Sequence, residues 1–122
     1  MRNLDKLDVY RYADRLAIEV YRCTASLPVA ERYGLVTQMR RAAVSIASNI
    51  AEGSARTSDN DFARYLEIAL GSARELAYQI HLTERLHLAQ AELATMSTLC
   101  DETTRMLGAL VYALRRRSRV NR

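Results

Sequence analysis

The sequence predicts an all-α protein, an antiparallel up-down-up-down four-helix bundle, and three observations carry that prediction. One proline and four glycines are all that interrupt 122 residues, in a composition dominated by Ala, Leu, Arg and Glu, which favour helix. Apolar residues recur every three or four positions along four separate stretches. The connections between those stretches are short, which makes neighbouring helices antiparallel. With 49% apolar residues, a chain of this length buries roughly two thirds of its unfolded surface as one domain.

The first helix is expected to start at Asp8, acting as its cap, and to run to about Ser26, because Pro28 opposes continuation. Val9, Tyr12, Leu16, Val20, Cys23 and Leu27 form its apolar stripe. The second helix begins near Glu31 and carries Leu35, Met39, Ala43, Ile46 and Ile50 along one face. It ends at Glu52 and Gly53, where the glycine suits the left-handed position just past a helix C-terminus. On a helical wheel Arg41, Ser45, Ser48 and Glu52 lie roughly opposite the core stripe. Arg40, Val44, Ala47 and Ala51 form a second, mostly small face suited to close helix approach. Glu52 sits at the negative end of its helix dipole and therefore calls for a cationic partner. Arg56, or an arginine from another helix or subunit, can supply it, and Asn49 is expected to hydrogen-bond a neighbouring backbone group.

The third helix opens on Ser58 with Asp61 three residues later, a capping box in which aspartate replaces the usual glutamate. Asp59 adds a favourable charge near the positive end of the dipole. Phe62, Leu66, Ala69, Ala73, Leu76, Ile80, Thr83 and His87 then alternate four and three apart, a heptad seam. The fourth helix has a weak start around Ala89 to Ala91, followed by Leu93, Met96, Cys100, Thr103, Leu107, Leu110 and Leu114 at the same alternation. Two such seams predict near-antiparallel, coiled-coil-like packing. Tyr10, Tyr21, Tyr33, Tyr65, Tyr78 and Tyr112 mostly fall beside the seams, and amphipathic rings off the main core suit a protein interface. They predict a homo-oligomer, against the plainer alternative of a monomer with half-buried tyrosines.

The formal charge of +4 is unevenly distributed. Of 18 Lys and Arg, five arginines fall in residues 115–122, so residues 1–114 hold 13 bases against all 14 acids. The reading is a near-neutral bundle domain, 1–114, followed by a basic tail, 115–122. A mobile tail containing Arg115, Arg116, Arg117 and Arg119 would attract phosphate in a salt-dependent way; a solubilising, disordered terminus is the alternative. Cys23 and Cys100 lack metal-ligand spacing, and with no export signal they indicate free thiols and a cytoplasmic location. No apolar run approaches the roughly 18 residues of a membrane-spanning helix.

Little in the sequence points to catalysis. Glu84 and His87 have the Glu-x-x-His spacing of di-iron bundles, but the second pair and the further inward carboxylates are missing. Arg74 and His81 share a helix flank two turns apart, which matches the loose arginine-histidine pattern of HEPN-type helical ribonucleases; an exposed pair is the simpler reading. Ser45, Ser48 and Asn49 have no acid and base nearby to activate a nucleophile, and no Gly-rich phosphate loop is present. No catalytic residue, metal site or cofactor is therefore expected.

One segment carries a resemblance. Residues 31–86 contain Gln38-Met39-Arg40-Arg41-Ala42-Ala43-Val44-Ser45-Ile46, then Asn49-Ile50-Ala51-Glu52-Gly53, Phe62 to Leu66, and Gly71-Ser72-Ala73 with Glu75-Leu76. This resembles the central segment of the bacterial four-helix-bundle proteins encoded within intervening sequences of large-subunit ribosomal RNA genes. The first helix is similar to that family's as well, so the likeness spans residues 4–114. It implies a four-helix protomer assembled into a ring-like homopentamer with a central channel, and it does not imply an enzyme. A related branch, the accessory variability determinant of diversity-generating retroelements, is a basic pentamer that binds nucleic acid and a reverse transcriptase; the near-neutral body here departs from that branch. The expected function is a non-catalytic scaffold binding RNA or a ribonucleoprotein through Arg40, Arg41, Arg56 and the tail arginines. A protein-only adaptor is the alternative, and a metal-independent ribonuclease using Arg74 and His81 is the third.

Overall fold

The computed structural model describes residues 2–89 and 92–120. Among them there are four long helices and no strands: α1 (Asp8–Thr24), α2 (Thr37–Ser54), α3 (Asp59–Arg85) and α4 (Ala94–Val120). α2 packs against α1 and α3, and α4 packs against α3 and α1, so the four close into a bundle. α3 and α4 each have 27 residues, about 40 Å at 1.5 Å per residue.

The predicted seams form the core. Leu16, Val20, Met39, Ile46, Ile50, Leu66, Leu76, Met96 and Leu107 are fully buried, with Phe62 nearly so. Burying each large apolar side chain contributes about 1.5 to 3 kcal/mol relative to exposure. Thr83 and Thr103 sit in this core because each donates its hydroxyl to a carbonyl one turn back in its own helix, to Gln79 at 2.8 Å and Leu99 at 2.7 Å. Both thiols are free and buried. Burial pushes the Cys100 thiol up to about 11, and it raises that of Cys23 with a further contribution from Glu19.

Several boundaries differ from the sequence reading for identifiable reasons. Asp8 is the first residue of α1 and does not cap it; Leu7 occupies the cap position, without a side-chain hydrogen bond. The stretch read as the start of the second helix is a short 3-10 turn (Val29–Glu31) and a π turn (Arg32–Val36). Gly34, at φ −109° and ψ −108°, breaks the helical path there, and regular α2 starts only at Thr37. Gly53 is not left-handed, since no described glycine has positive φ. It lies within the last turn of α2, where an added Cβ would stand 2.6 Å from Tyr65 Cβ and 3.1 Å from Phe62 Cδ1. The glycine is required for close approach of α2 to α3.

Ser58 caps α3 as read, its hydroxyl accepting from Asp61 N–H at 3.0 Å. The Asp61 carboxylate pairs instead with Arg64 at 3.3 Å. His87 leaves the seam because α3 stops at Arg85; it is exposed and adopts φ 54°. Its N–H bonds the Glu84 carbonyl at 3.0 Å while Leu88 N–H reaches back to Thr83 at 3.2 Å. These bonds end α3 with a left-handed residue, a role more often filled by glycine. Of the expected α4 start, Ala89 precedes the helix while positions 90 and 91 lie outside the described residues; α4 begins at Ala94.

The largest correction concerns residues 115–120. They are not a separate tail: α4 runs without a break to Val120, and only positions 121 and 122 lie outside the described residues. Arginine is a good helix former, and cations are favoured at a helix C-terminus. Two of these arginines also find acidic partners on α3, Arg117 at Asp59 and Arg115 at Glu67.

Candidate nucleic-acid interface

The antiparallel path brings the C-terminal ends of α2 and α4, the N-terminus of α3 and the segment before α1 to one end of the bundle. Arginines from all of these except the acidic α3 start meet there. Arg117 holds the Asp59 carboxylate in a two-pronged contact, Nε to Oδ2 at 2.6 Å and Nη2 to Oδ1 at 2.8 Å. Arg2 donates to the same Oδ1 at 2.8 Å and to the Arg56 carbonyl at 2.7 Å, and its guanidinium lies 4.3 Å from the centre of the Phe62 ring. Arg115 donates to Asn60 Oδ1 at 3.0 Å and pairs with Glu67. Arg116 and Arg119 are exposed.

Arg56 completes the group. Its Nη2 donates to Tyr65 Oη at 2.8 Å and Glu52 Oε1 at 3.1 Å, and the guanidinium stacks 4.8 Å from the Tyr65 ring centre. This supplies the cation that Glu52 called for. Arg56 Nε is buried and has no hydrogen-bond partner in the structure. Arg2, Ala55, Arg56, Thr57 and Arg117 line an open cleft of about 630 Å³. The hydrogen bond from Arg117, helped by that from Arg2, outweighs partial desolvation and lowers the Asp59 carboxyl from 3.8 to about 2. The pair is therefore ionised across the whole physiological range.

The other predicted nucleic-acid contacts lie elsewhere. Arg40 and Arg41 stand near the start of α2, at the opposite end of the bundle from Arg56. Arg40 is held within the fold: Nε donates to Thr24 Oγ1 at 2.9 Å, Nη2 to the Tyr21 carbonyl at 3.3 Å, and the guanidinium lies 4.5 Å from the Tyr21 ring centre. It satisfies carbonyl and hydroxyl groups at the end of α1, a C-capping role. Arg41 is exposed. Ser45, expected opposite the core, instead meets Ser72 of α3 at 2.8 Å, and Asn49 Nδ2 donates to the Ser45 carbonyl at 2.8 Å. This polar contact explains the serine and asparagine within the small-residue stretch.

Arg74 and His81 are both exposed on α3. Among the described residues no group of three His, Cys, Asp or Glu side chains is placed to hold a metal, and no helix is long and apolar enough to cross a membrane. The sequence reading missed Arg2 and the counter-ion position of Asp59. Nothing in local spacing links Asp59 to Arg2, 57 positions before it, or to Arg117, 58 positions after it, but an antiparallel α3–α4 pair of equal length brings Arg117 to the start of α3.

Comparison with known proteins agrees with this architecture. Among curated proteins none matches. A solved structure from Bacteroides thetaiotaomicron, described as a protein with unknown function from the S23 ribosomal protein family, has a TM-score of 0.76 and 23% identity. The alignment covers 85% of this chain and 95% of that one, a likeness of fold. The family model for 23S rRNA-intervening sequence proteins matches residues 5–109. A match over nearly the whole bundle, with the same all-helical architecture, makes this chain a member of the 23S rRNA-intervening sequence protein family.

Proposed function

We propose that this protein is a non-catalytic, homo-oligomeric helical scaffold that binds RNA or a ribonucleoprotein through the arginines of its basic end. The observation that carries the proposal is the convergence of Arg2, Arg56, Arg115 and Arg117, with the exposed Arg116 and Arg119 beyond them, on one end of a body otherwise near charge balance. Guanidinium groups contact phosphate with paired donors and release counter-ions, so such an end favours a polyanion without reading its sequence. Helical continuation through Val120 supports a fixed array rather than a loose tail. Arg41 would add at most a separate contact at the far end.

RNA retention measured against salt concentration tests this. Binding is expected at about 50 mM salt, with a log-log slope that flattens as Arg115, Arg116, Arg117 and Arg119 are neutralised. Absence of retention at that salt overturns the RNA reading.

Exposed apolar side chains support the oligomeric part and also the protein-adaptor alternative, in which a reverse transcriptase or another protein is the partner. Tyr33 is 87% exposed, Ile18 and Tyr112 each 63%, and Tyr78 59%. Light scattering giving a pentamer mass supports the ring-like homopentamer. Copurification of a protein partner from nuclease-treated lysate, with no RNA affinity, favours the adaptor.

A further inference from the structure

We infer that the cleft between Arg2, Arg56, Thr57 and Arg117 seats a single phosphate group, and that the phosphate displaces Asp59 as the counter-ion of Arg117. Three features of the site lead there. First, Asp59 presents two carboxylate oxygens to Arg117 Nε and Nη2 at 2.6 and 2.8 Å, the two-pronged geometry by which a guanidinium also grips phosphate. Second, three guanidinium groups border the cleft around one carboxylate, with the second nearby acid, Glu52, already paired to Arg56. The cleft therefore keeps a surplus of positive charge even with Asp59 in place. Third, donors remain, since each guanidinium has more N–H groups than its contacts use.

The site is suited to phosphate because three of its five lining residues, Arg2, Arg56 and Arg117, are arginines, beside Ala55 and Thr57. Arg117 is the mobile partner of the exchange, its side chain 60% exposed, whereas the Arg2 side chain is 22% exposed and anchored on Phe62. Arg2 and Arg56 thus form the fixed wall, and Arg117 turns from carboxylate to phosphate. The physiological source of that phosphate, an RNA backbone, rests on the function proposed above; the seat itself does not.

Inorganic phosphate and a short single-stranded RNA are the two probes, with the Arg117 and Arg56 Nε–H resonances followed by NMR in the full chain. Phosphate is expected to shift both resonances saturably. Asp59→Asn, which keeps an oxygen acceptor for the arginines, is expected to tighten phosphate binding by about threefold to fivefold, the scale of one exposed ion pair. Asp61→Asn makes the same charge change beside Arg64 and is expected to leave affinity unchanged. In an Arg117→Gln background the Asp59→Asn gain should vanish. Circular dichroism spectra matching the parent confirm that each variant is folded, and Arg56→Gln, which should weaken phosphate binding, tests the seat without touching Asp59. No shift at Arg117, equal tightening by both aspartate variants, or a gain that survives Arg117→Gln overturns the inference. RNA retained with Arg117 unmoved overturns the seat and leaves the RNA reading standing. Phosphate seated by Arg117 without RNA retention does the reverse.

Discussion

Gly53 and Tyr65 stand so close that a Cβ built on the glycine would lie 2.6 Å from the tyrosine Cβ, with Phe62 Cδ1 at 3.1 Å. The crossing of α2 over the first turns of α3 depends on that missing side chain. It also holds Tyr65 where its hydroxyl meets Arg56 at 2.8 Å, so one packing contact fixes part of the basic end. Gly53→Ala is expected to destabilise the fold by about 1 to 3 kcal/mol, the usual cost of overpacking. Gly71 and Gly108 lie inside α3 and α4 with nothing within 4 Å of a built Cβ. Alanine at either should stabilise by about 0.5 to 1 kcal/mol. Urea denaturation of the three variants checks the contrast, and a neutral Gly53→Ala removes the close-approach argument.

His87 carries the only positive φ among described non-glycine residues, 54°, and it does so at the end of α3. An L-residue in that conformation costs roughly 1 to 2 kcal/mol. The left-handed step is nevertheless needed to turn Leu88 N–H back to Thr83. His87→Gly is expected to raise stability by up to about 1 kcal/mol, because its gain is partly offset by the greater freedom of glycine in the unfolded chain. Thermal unfolding of the variant measures it, and a lower melting temperature contradicts the capping role.

The seams were legible because burial leaves a periodic trace: Met39, Ala43, Ile46 and Ile50 recur at helical spacing and all are fully buried. Ser58 was legible because an N-cap is a local arrangement, with donor and acceptor three residues apart. Gly53 was read correctly as special and incorrectly as left-handed. Its reason is a contact with Tyr65 across the bundle, which composition near residue 53 does not encode. The same limit explains Arg2, whose partners Asp59 and Phe62 are brought to it by topology. It also explains Arg40, which as part of an Arg-Arg pair reads as a phosphate contact until its partners on α1 are seen. Residues 115–120 were read by charge alone because the apolar seam ends at Leu114, although arginine itself favours helix.

Arg40 is expected to matter for stability and not for RNA. Arg40→Ala removes donors from Thr24 Oγ1 and the Tyr21 carbonyl and the stacking on Tyr21. The expected loss is about 1 to 2 kcal/mol, given that hydrogen bonds from charged donors are stronger than neutral ones. Lysine should recover little, since a point charge does not reproduce a planar fork. Arg41→Ala, at an exposed position, is expected to stay within about 0.5 kcal/mol of the parent. Chemical denaturation gives the stabilities, and a salt titration of RNA binding gives the second readout. A fall of about one in the slope for Arg40→Ala would return that residue to the interface.

Asp59 supplies a pH dependence whose sign follows from its partners. The hydrogen bond from Arg117 and that from Arg2 lower its carboxyl from 3.8 to about 2 in the folded protein. A carboxylate depressed on folding contributes stability that is fully present above its unfolded value and is lost as pH falls through its folded value. The contribution of Asp59 should therefore be constant near neutrality and decline between about pH 4 and about pH 2. Asp59→Asn is expected to be less stable than the parent at neutral pH, with the two denaturation free energies converging as acid protonates the parent carboxyl. Urea unfolding of both proteins at a series of pH values checks this. A stability gap that stays unchanged on acidification would mean that the Asp59 charge, and hence its hold on Arg2 and Arg117, does not stabilise the basic end. High salt should also narrow the gap at neutral pH, because the Arg117 side of the cluster is exposed to solvent and screened. Acid sensitivity in particular distinguishes an electrostatic clamp at Asp59 from stacking of the Arg2 guanidinium on the Phe62 ring, which protonation of a carboxylate would not weaken.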